Sequence, residues 1–241
     1  MDKYKNDIRD GLRDAVPITL GYFAVALSLG IEGKAAGLTP WQGFAASFLT
    51  LTSSGEFAGF TLIEQNALYL EMLLMTLVVN ARYLLMGASL SQKLAPNTPV
   101  WQRLLIGWGV TDEIFGVSVA RETPITVYYS LAVILPSAVG WSGGTALGIL
   151  MGQLLPARVV QALSVALFGM FLAVIMPPAR KNRVLLILIL LSFGLSYLFA
   201  EVHPLSRISY GNRIILLTVV LSAGAALLFP VREETEENHE A

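Results

Sequence analysis

Hydrophobic residues fall into eight blocks of about 16 to 25 positions, parted by short polar turns. Blocks of that length read as helices able to cross a bilayer. They run from about Ala15 to Gly30, Trp41 to Ile63, Ala67 to Leu90, Val100 to Ala120, Val127 to Met151, Ala157 to Met176, Val184 to Ala200 and Arg213 to Phe229. Pro17 sits near the start of the first block, where a missing N–H costs least. Thr39 before Pro40 reads as a cap and a first-turn proline, and Pro96 and Pro99 keep the 91–100 loop from continuing as helix. The pattern predicts an all-α, polytopic transmembrane helical bundle of about seven to eight spans with discontinuous helices. Residues 1–241 form a single integral membrane domain, with 1–14 as an amphipathic cytoplasmic segment and 231–241 as an acidic tail.

Three consecutive blocks are interrupted by polar residues at mid-length. The second carries Thr52, Ser53, Ser54, Gly55 and Glu56, the third Asn80 and Arg82, the fourth Thr111, Asp112 and Glu113. Backbone freed by a break at that depth needs partners from protein or water, and charge there needs a partner or a cavity. One reading is a helix broken around Gly55 at a substrate site. The other is a kinked helix whose hydroxyls satisfy their own carbonyls. On continuous helices Asn80 and Arg82 lie about 200° apart, and Asp112 and Glu113 about 100° apart, so neither pair converges on one point. Arg82 has two readings: a neutraliser of a substrate carboxylate, or a structural partner of one acid. Three acids against one arginine is more negative charge than a low dielectric leaves ionised, so at least one carboxyl is expected to hold a proton. That is the ingredient a proton-coupled carrier needs.

Composition narrows the class. The chain is 55% hydrophobic and 14% charged, with mean hydropathy +0.65, against nearer a quarter charged in soluble domains. A net charge of −1 argues against a nucleic-acid partner. There are no cysteines, and His203 and His239 are the only histidines. No metal site and no cofactor are therefore expected. Ser53 and Ser54 lack any base but a carboxylate, which makes an enzyme the least favoured class. Gly143, Gly144, Gly148 and Gly152 read as packing positions that let helices approach closely. The basic loop Pro177–Arg183 is expected to be cytoplasmic, which with eight spans puts both termini inside. Lys93 and Arg103 then fall outside, against the rule. A weak internal repeat links 15–63 with 140–176, parallel on this count and inverted if one span is miscounted.

Val16-Pro-Ile-Thr-Leu-Gly-Tyr-Phe23, Phe57-Ala-Gly59, Val79-Asn-Ala-Arg82-Tyr-Leu-Leu85, Thr111-Asp-Glu113 and Trp141-Ser-Gly-Gly-Thr145 with Gly148 resemble, in order, the motifs of the AzlC (YgaZ) family. That family forms the large subunit of branched-chain amino acid exporters. The resemblance implies export of hydrophobic amino acids across the cytoplasmic (inner) membrane of a prokaryote. It also implies proton coupling and a small AzlD-type membrane subunit as hetero-oligomeric partner. Leu62 stands where the family usually has a glutamine, Gln161 where it has an aspartate, and Tyr83 where a histidine commonly follows the arginine. The carboxylate at Glu56 is this chain's own.

Substrate chemistry assigns the roles. Ser53, Ser54, Gly55, Phe57, Gly59, Asn80, Arg82 and Thr111 are the candidate substrate-binding residues. Glu56, Asp112 and Glu113 are the candidate proton-coupling residues. A half-helix N-terminus after Gly55 offers N–H groups and a positive dipole end for the substrate carboxylate. The alternative to a proton-coupled exporter is an amino-acid or small-solute channel without proton coupling.

Overall fold

The computed structural model describes residues 2–229, apart from 96, 153, 155 and 204–206. The acidic tail 231–241 lies outside the described residues. The chain divides into two compact units, Met1–Phe171 and Leu172–Ala241. In order, the helices are α1 (Asp2–Ala35), α2 (Pro40–Thr50), α3 (Ser53–Glu64), α4 (Tyr69–Val79), α5 (Ala81–Lys93), α6 (Val100–Trp108), α7 (Asp112–Ala120), α8 (Val127–Met151), α9 (Ala157–Lys181), α10 (Arg183–Glu201) and α11 (Tyr210–Leu228). No strand occurs among the described residues. The all-helical expectation stands. Four helices, α1, α8, α10 and α11, are long and apolar enough to cross a membrane, and α4 with α5, bent by 43°, makes a fifth candidate.

The hydrophobic blocks and the helices agree best where nothing polar intervenes. The fifth block is α8, residue for residue. The second, third and fourth blocks are each two short helices, broken at Leu51–Thr52, Asn80 and Gly109–Thr111. Two expectations change. Residues 2–14 are the opening turns of α1, so Pro17, expected near a helix start, lies inside that helix. Likewise Pro177–Lys181, expected as loop, continue α9, and Asn182 alone separates it from α10, capping it through Val184 and Leu185 N–H.

The first unit is built on α1 and α8, which pack side by side and run in the same direction. Gly11 meets Tyr129 at one end and Gly148 meets Leu27 towards the other. The seam is nearly bare of side chains. A Cβ on Gly140, Gly144 or Gly148 would lie 2.7 Å from Thr19 Cγ2, 2.6 Å from the Phe23 carbonyl oxygen and 2.2 Å from the Leu27 carbonyl oxygen. One on Gly30 would lie 2.3 Å from the Thr145 carbonyl oxygen. Glycines four residues apart thus form a stripe on α8 that brings backbone against backbone. The packing reading holds for Gly144 and Gly148, while a Cβ on Gly143 would meet nothing.

A polar clamp fastens the start of this pair. Buried Asp7 accepts from Arg121 at 2.6 Å and from the Thr126 hydroxyl at 2.8 Å, and the Tyr129 hydroxyl donates to Asp14 at 2.8 Å. Asp10 lies 3.4 Å from the same arginine, whose guanidinium covers the Tyr129 ring at 4.2 Å. In the second unit α10 and α11 pack together, and α10 has no buried residue among those described. Its leucine-rich surface suits contact with lipid.

Candidate functional site

All three breaks carry polar residues, and they face one another. The first is at Leu51, not Gly55. Leu51 sits in the left-handed region at φ 42°, ψ 48°, and Thr52 is extended. A leucine there costs about 1–2 kcal/mol, which burial at 3% exposure and a hydrogen bond from its N–H to Ser47 offset. Thr52 then caps α3, accepting from Gly55 N–H at 3.3 Å. Gly55 is needed for a close approach: a Cβ there would lie 2.9 Å from both terminal atoms of the Asn80 side chain. The Thr52 hydroxyl donates to Asn80 Oδ1 at 2.8 Å, tying the first break to the second.

Glu56, one turn into α3, is 4% exposed. Trp141 of α8 donates its indole N–H to Glu56 Oε2 at 2.8 Å, and the Ser47 hydroxyl of α2 donates to Oε1. Both partners are neutral. No ion pair reaches this carboxyl among the described residues.

The second break turns α4 into α5 at Asn80, so Asn80 and Arg82 do not share a continuous helix. They still face different neighbours: Asn80 meets α3, whereas Arg82 Nη1 lies 2.8 Å from Asp112 Oδ2. Arg82 therefore has an acid of the protein as its partner in this structure. Tyr83 follows it, its hydroxyl 3.4 Å from both Arg82 Nη2 and Thr52 Oγ1. At the third break Thr111 caps α7, accepting from Ile114 N–H at 3.3 Å. Asp112 and Glu113 are thus first-turn residues of α7, favourably placed against its dipole. The Tyr22 hydroxyl of α1 lies 2.5 Å from both Thr111 Oγ1 and Glu113 Oε2. Tyr22 stacks edge-on against Trp141 at 5.4 Å, which leads back to Glu56.

The contacts close a ring: Glu56, Trp141, Tyr22, Thr111 with its helix α7, Asp112, Arg82, Tyr83, Thr52 and α3 again. Of the expected residues, the ring includes Glu56, Arg82, Thr111 and Asp112, with Glu113 held by Tyr22 and Asn80 and Gly55 packed against Thr52. Ser53 and Ser54 form the first turn of α3 and are half-buried. Phe57 points elsewhere, to Phe168 and Phe171 at 5.6 and 6.0 Å. A Cβ on Gly59 would meet nothing within 4 Å. The three acids do not converge: Glu56 faces α2 and α8, Asp112 faces α5, and Glu113 faces α1.

Sequence reasoning missed Ser47, Thr52 as a tie to Asn80, Tyr22, Tyr83 and Trp141. Tyr22, Tyr83 and Trp141 lie within the family-like motifs, a signal that was available. Ser47 carried none.

Helices broken at mid-length, polar groups facing one another at the breaks and further helices long and apolar enough to cross a membrane define a multi-pass helical membrane protein. Residues 17–155 match the family described as AzlC protein. The chain belongs to that family. It is 30% identical over 178 residues to an uncharacterized membrane protein of Archaeoglobus fulgidus, covering 73% of this chain and 78% of that one. It is 25% identical over 173 residues to the branched-chain amino acid transport protein AzlC of Bacillus subtilis, covering 70% and 66%. It is 22% identical over 148 residues to the inner membrane protein YgaZ of Escherichia coli, covering 60% of each. The matched stretch thus spans less than two thirds of either of the last two. No solved structure matches the chain.

Proposed function

We propose that this chain is a secondary transporter that exports branched-chain or other hydrophobic amino acids across the cytoplasmic membrane. In this reading it is driven by the proton gradient and forms the large subunit of a two-component permease with a small AzlD-type membrane partner. The carrying observation is a mid-helix ring holding one buried carboxyl with neutral donors beside an accessible Arg82–Asp112 pair. A zwitterionic substrate can exchange for that pair, its carboxylate taking Arg82 and its ammonium taking Asp112, so that no charge is left alone in low dielectric. The first-turn N–H groups of Ser53 and Ser54 are the second candidate for the carboxylate. Glu56 is the proton site of this reading: its neutral partners serve a protonated or an ionised carboxyl. Glu113, held by Tyr22, is the reserve. The name of the Bacillus subtilis relative supports the substrate class.

The test is uptake and counterflow of labelled amino acids in proteoliposomes, with and without the small subunit. Gradient-driven accumulation of valine, leucine or isoleucine supports the reading. Fast flux indifferent to a proton gradient makes the chain a channel.

A further inference from the structure

The second and fourth hydrophobic blocks each turn back on themselves. In the second, Ser47 and Glu56 are hydrogen-bonded across the Leu51–Thr52 break, although a continuing helix would hold them about 13 Å apart. Both arms reach the same level of the α1–α8 frame. A Cβ on Gly43 of α2 would touch Ile149 Cδ1, and a Cβ on Gly33 of α1 would meet both Ile149 Cδ1 at 3.3 Å and Phe60 Cε2 of α3 at 3.1 Å. In the fourth, the two ends are joined: Ala95 N–H donates to the Ile125 carbonyl at 2.9 Å and Ile125 N–H to the Lys93 carbonyl at 2.9 Å. The Lys93 ammonium also reaches the Val119 carbonyl at the end of α7. The first hairpin is rooted beside Gly33 and Ile149, late in α1 and α8. The second is rooted beside Ile125 and Arg121, which holds Asp7, early in the same parallel helices. They come from opposite ends and meet at their tips, where the Trp108 indole N–H donates to the Leu49 carbonyl at 3.1 Å.

We propose that α1 with α2–α3 and α4–α5 with α6–α7 are inverted copies of one unit, a spanning helix followed by a re-entrant hairpin. Tyr22 and Tyr83 are then equivalent positioning residues, each latching the tip of the other copy's hairpin. The sequence carries the echo. Thr39-Pro-Trp-Gln42 opens one hairpin and Thr98-Pro-Val-Trp-Gln102 the other, and each proline precedes its capping threonine, Thr52 or Thr111, by 12 residues. Tyr22 stands 30 residues before Thr52 and Tyr83 stands 28 before Thr111. The contacts cross over: Tyr22 touches Thr111 and Tyr83 approaches Thr52. Trp108 and Leu49, which join the tips, each lie three residues before those threonines. This pairing differs from the echo between 15–63 and 140–176, whose second copy has the unbroken α9 where the first has two helices. The latches are unequal, 2.5 Å at Tyr22 and 3.4 Å at Tyr83, so exchanging them gives a second arrangement with the opposite hairpin held. Access from one side at a time follows if the chain transports, and that consequence alone rests on the function proposed above.

The chain has no cysteine, so single cysteines report cleanly. In oriented vesicles, a membrane-impermeant maleimide should label Ala35→Cys and Gln65→Cys from one face, and Gln92→Cys and Thr123→Cys from the other. Labelling of positions 35 and 65 from opposite faces overturns the hairpins, whatever the chain transports. On a Gly116→Cys reporter in α7, Tyr22→Phe should raise labelling from the Gln92 face at least fivefold. On a Thr61→Cys reporter in α3, Tyr83→Phe should do so from the Gln65 face. Equal effects of both variants on both reporters, or none, overturn the equivalence. The readouts need no substrate, so a negative export assay leaves them intact, and their failure leaves that assay to stand alone.

Discussion

Arg82 and Asp112 bind each other across two broken helices, Nη1 to Oδ2 at 2.8 Å, with side chains 41% and 39% exposed. Asp112→Asn keeps a side-chain oxygen for the Arg82 guanidinium, so the chain is expected to assemble, while driven export falls at least tenfold. Exchanging the two charges, Arg82→Asp with Asp112→Arg, should not restore export. Full restoration would make the pair structural and remove it from the substrate site.

Glu56 gives the sharper chemical test. Glu56→Gln keeps an oxygen for the Trp141 indole or the Ser47 hydroxyl, so the chain should assemble normally. Counterflow should persist while proton-driven accumulation disappears. Wild-type accumulation by this variant would exclude Glu56 as the proton site. Glu56→Leu, by contrast, strands two buried donors at about 1–3 kcal/mol each, and its folded yield should drop.

The α1–α8 seam predicts a contrast between neighbouring glycines. Gly148→Ala must push a methyl into the Leu27 carbonyl oxygen, 2.2 Å from the ideal Cβ. Overpacking of that kind costs about 1–3 kcal/mol, visible as a lower thermal midpoint in detergent. Gly143→Ala meets nothing within 4 Å and should be neutral.

At the clamp, Asp7→Ala leaves Arg121, 15% exposed, with Asp10 at 3.4 Å as its one acidic partner among the described residues. Loss of a largely buried partner is destabilising, and the spare carboxylate limits the expected cost to about 1–3 kcal/mol. Asp10→Ala should cost less than half of that. The same thermal scan reads both.

What the chain disclosed in advance follows from how local each cause is. The limits of α8 were legible because its apolar run ends at once against the flanking residues Thr126 and Gly152, which cap it. Polar residues at mid-block pointed to the break in the second block, whereas those of the third and fourth were read on continuous helices. The position of that break did not follow, since Gly55 is the obvious breaker and Leu51 the residue that adopts the left-handed turn. Burial and the Ser47 hydrogen bond select Leu51, and neither is visible along the chain. The partners of Glu56 lie nine and 85 residues away, and a tyrosine or tryptophan in an apolar run reads as packing until its neighbour is known. The hairpins were hidden for the same reason: a block long enough to cross a bilayer looks alike whether it crosses or returns.

The bare seam between α1 and α8 has a consequence for how the molecule can vary. Two helices in backbone contact cannot slide or rotate without collision, so they behave as a fixed post. Heritable change in selectivity must then accumulate in the broken helices arranged around that post, whose tips are joined by a handful of replaceable side-chain bonds. Random mutagenesis scored for altered substrate choice should return variants near positions 47–57, 80–83 and 108–113, and almost none in the glycine stripe.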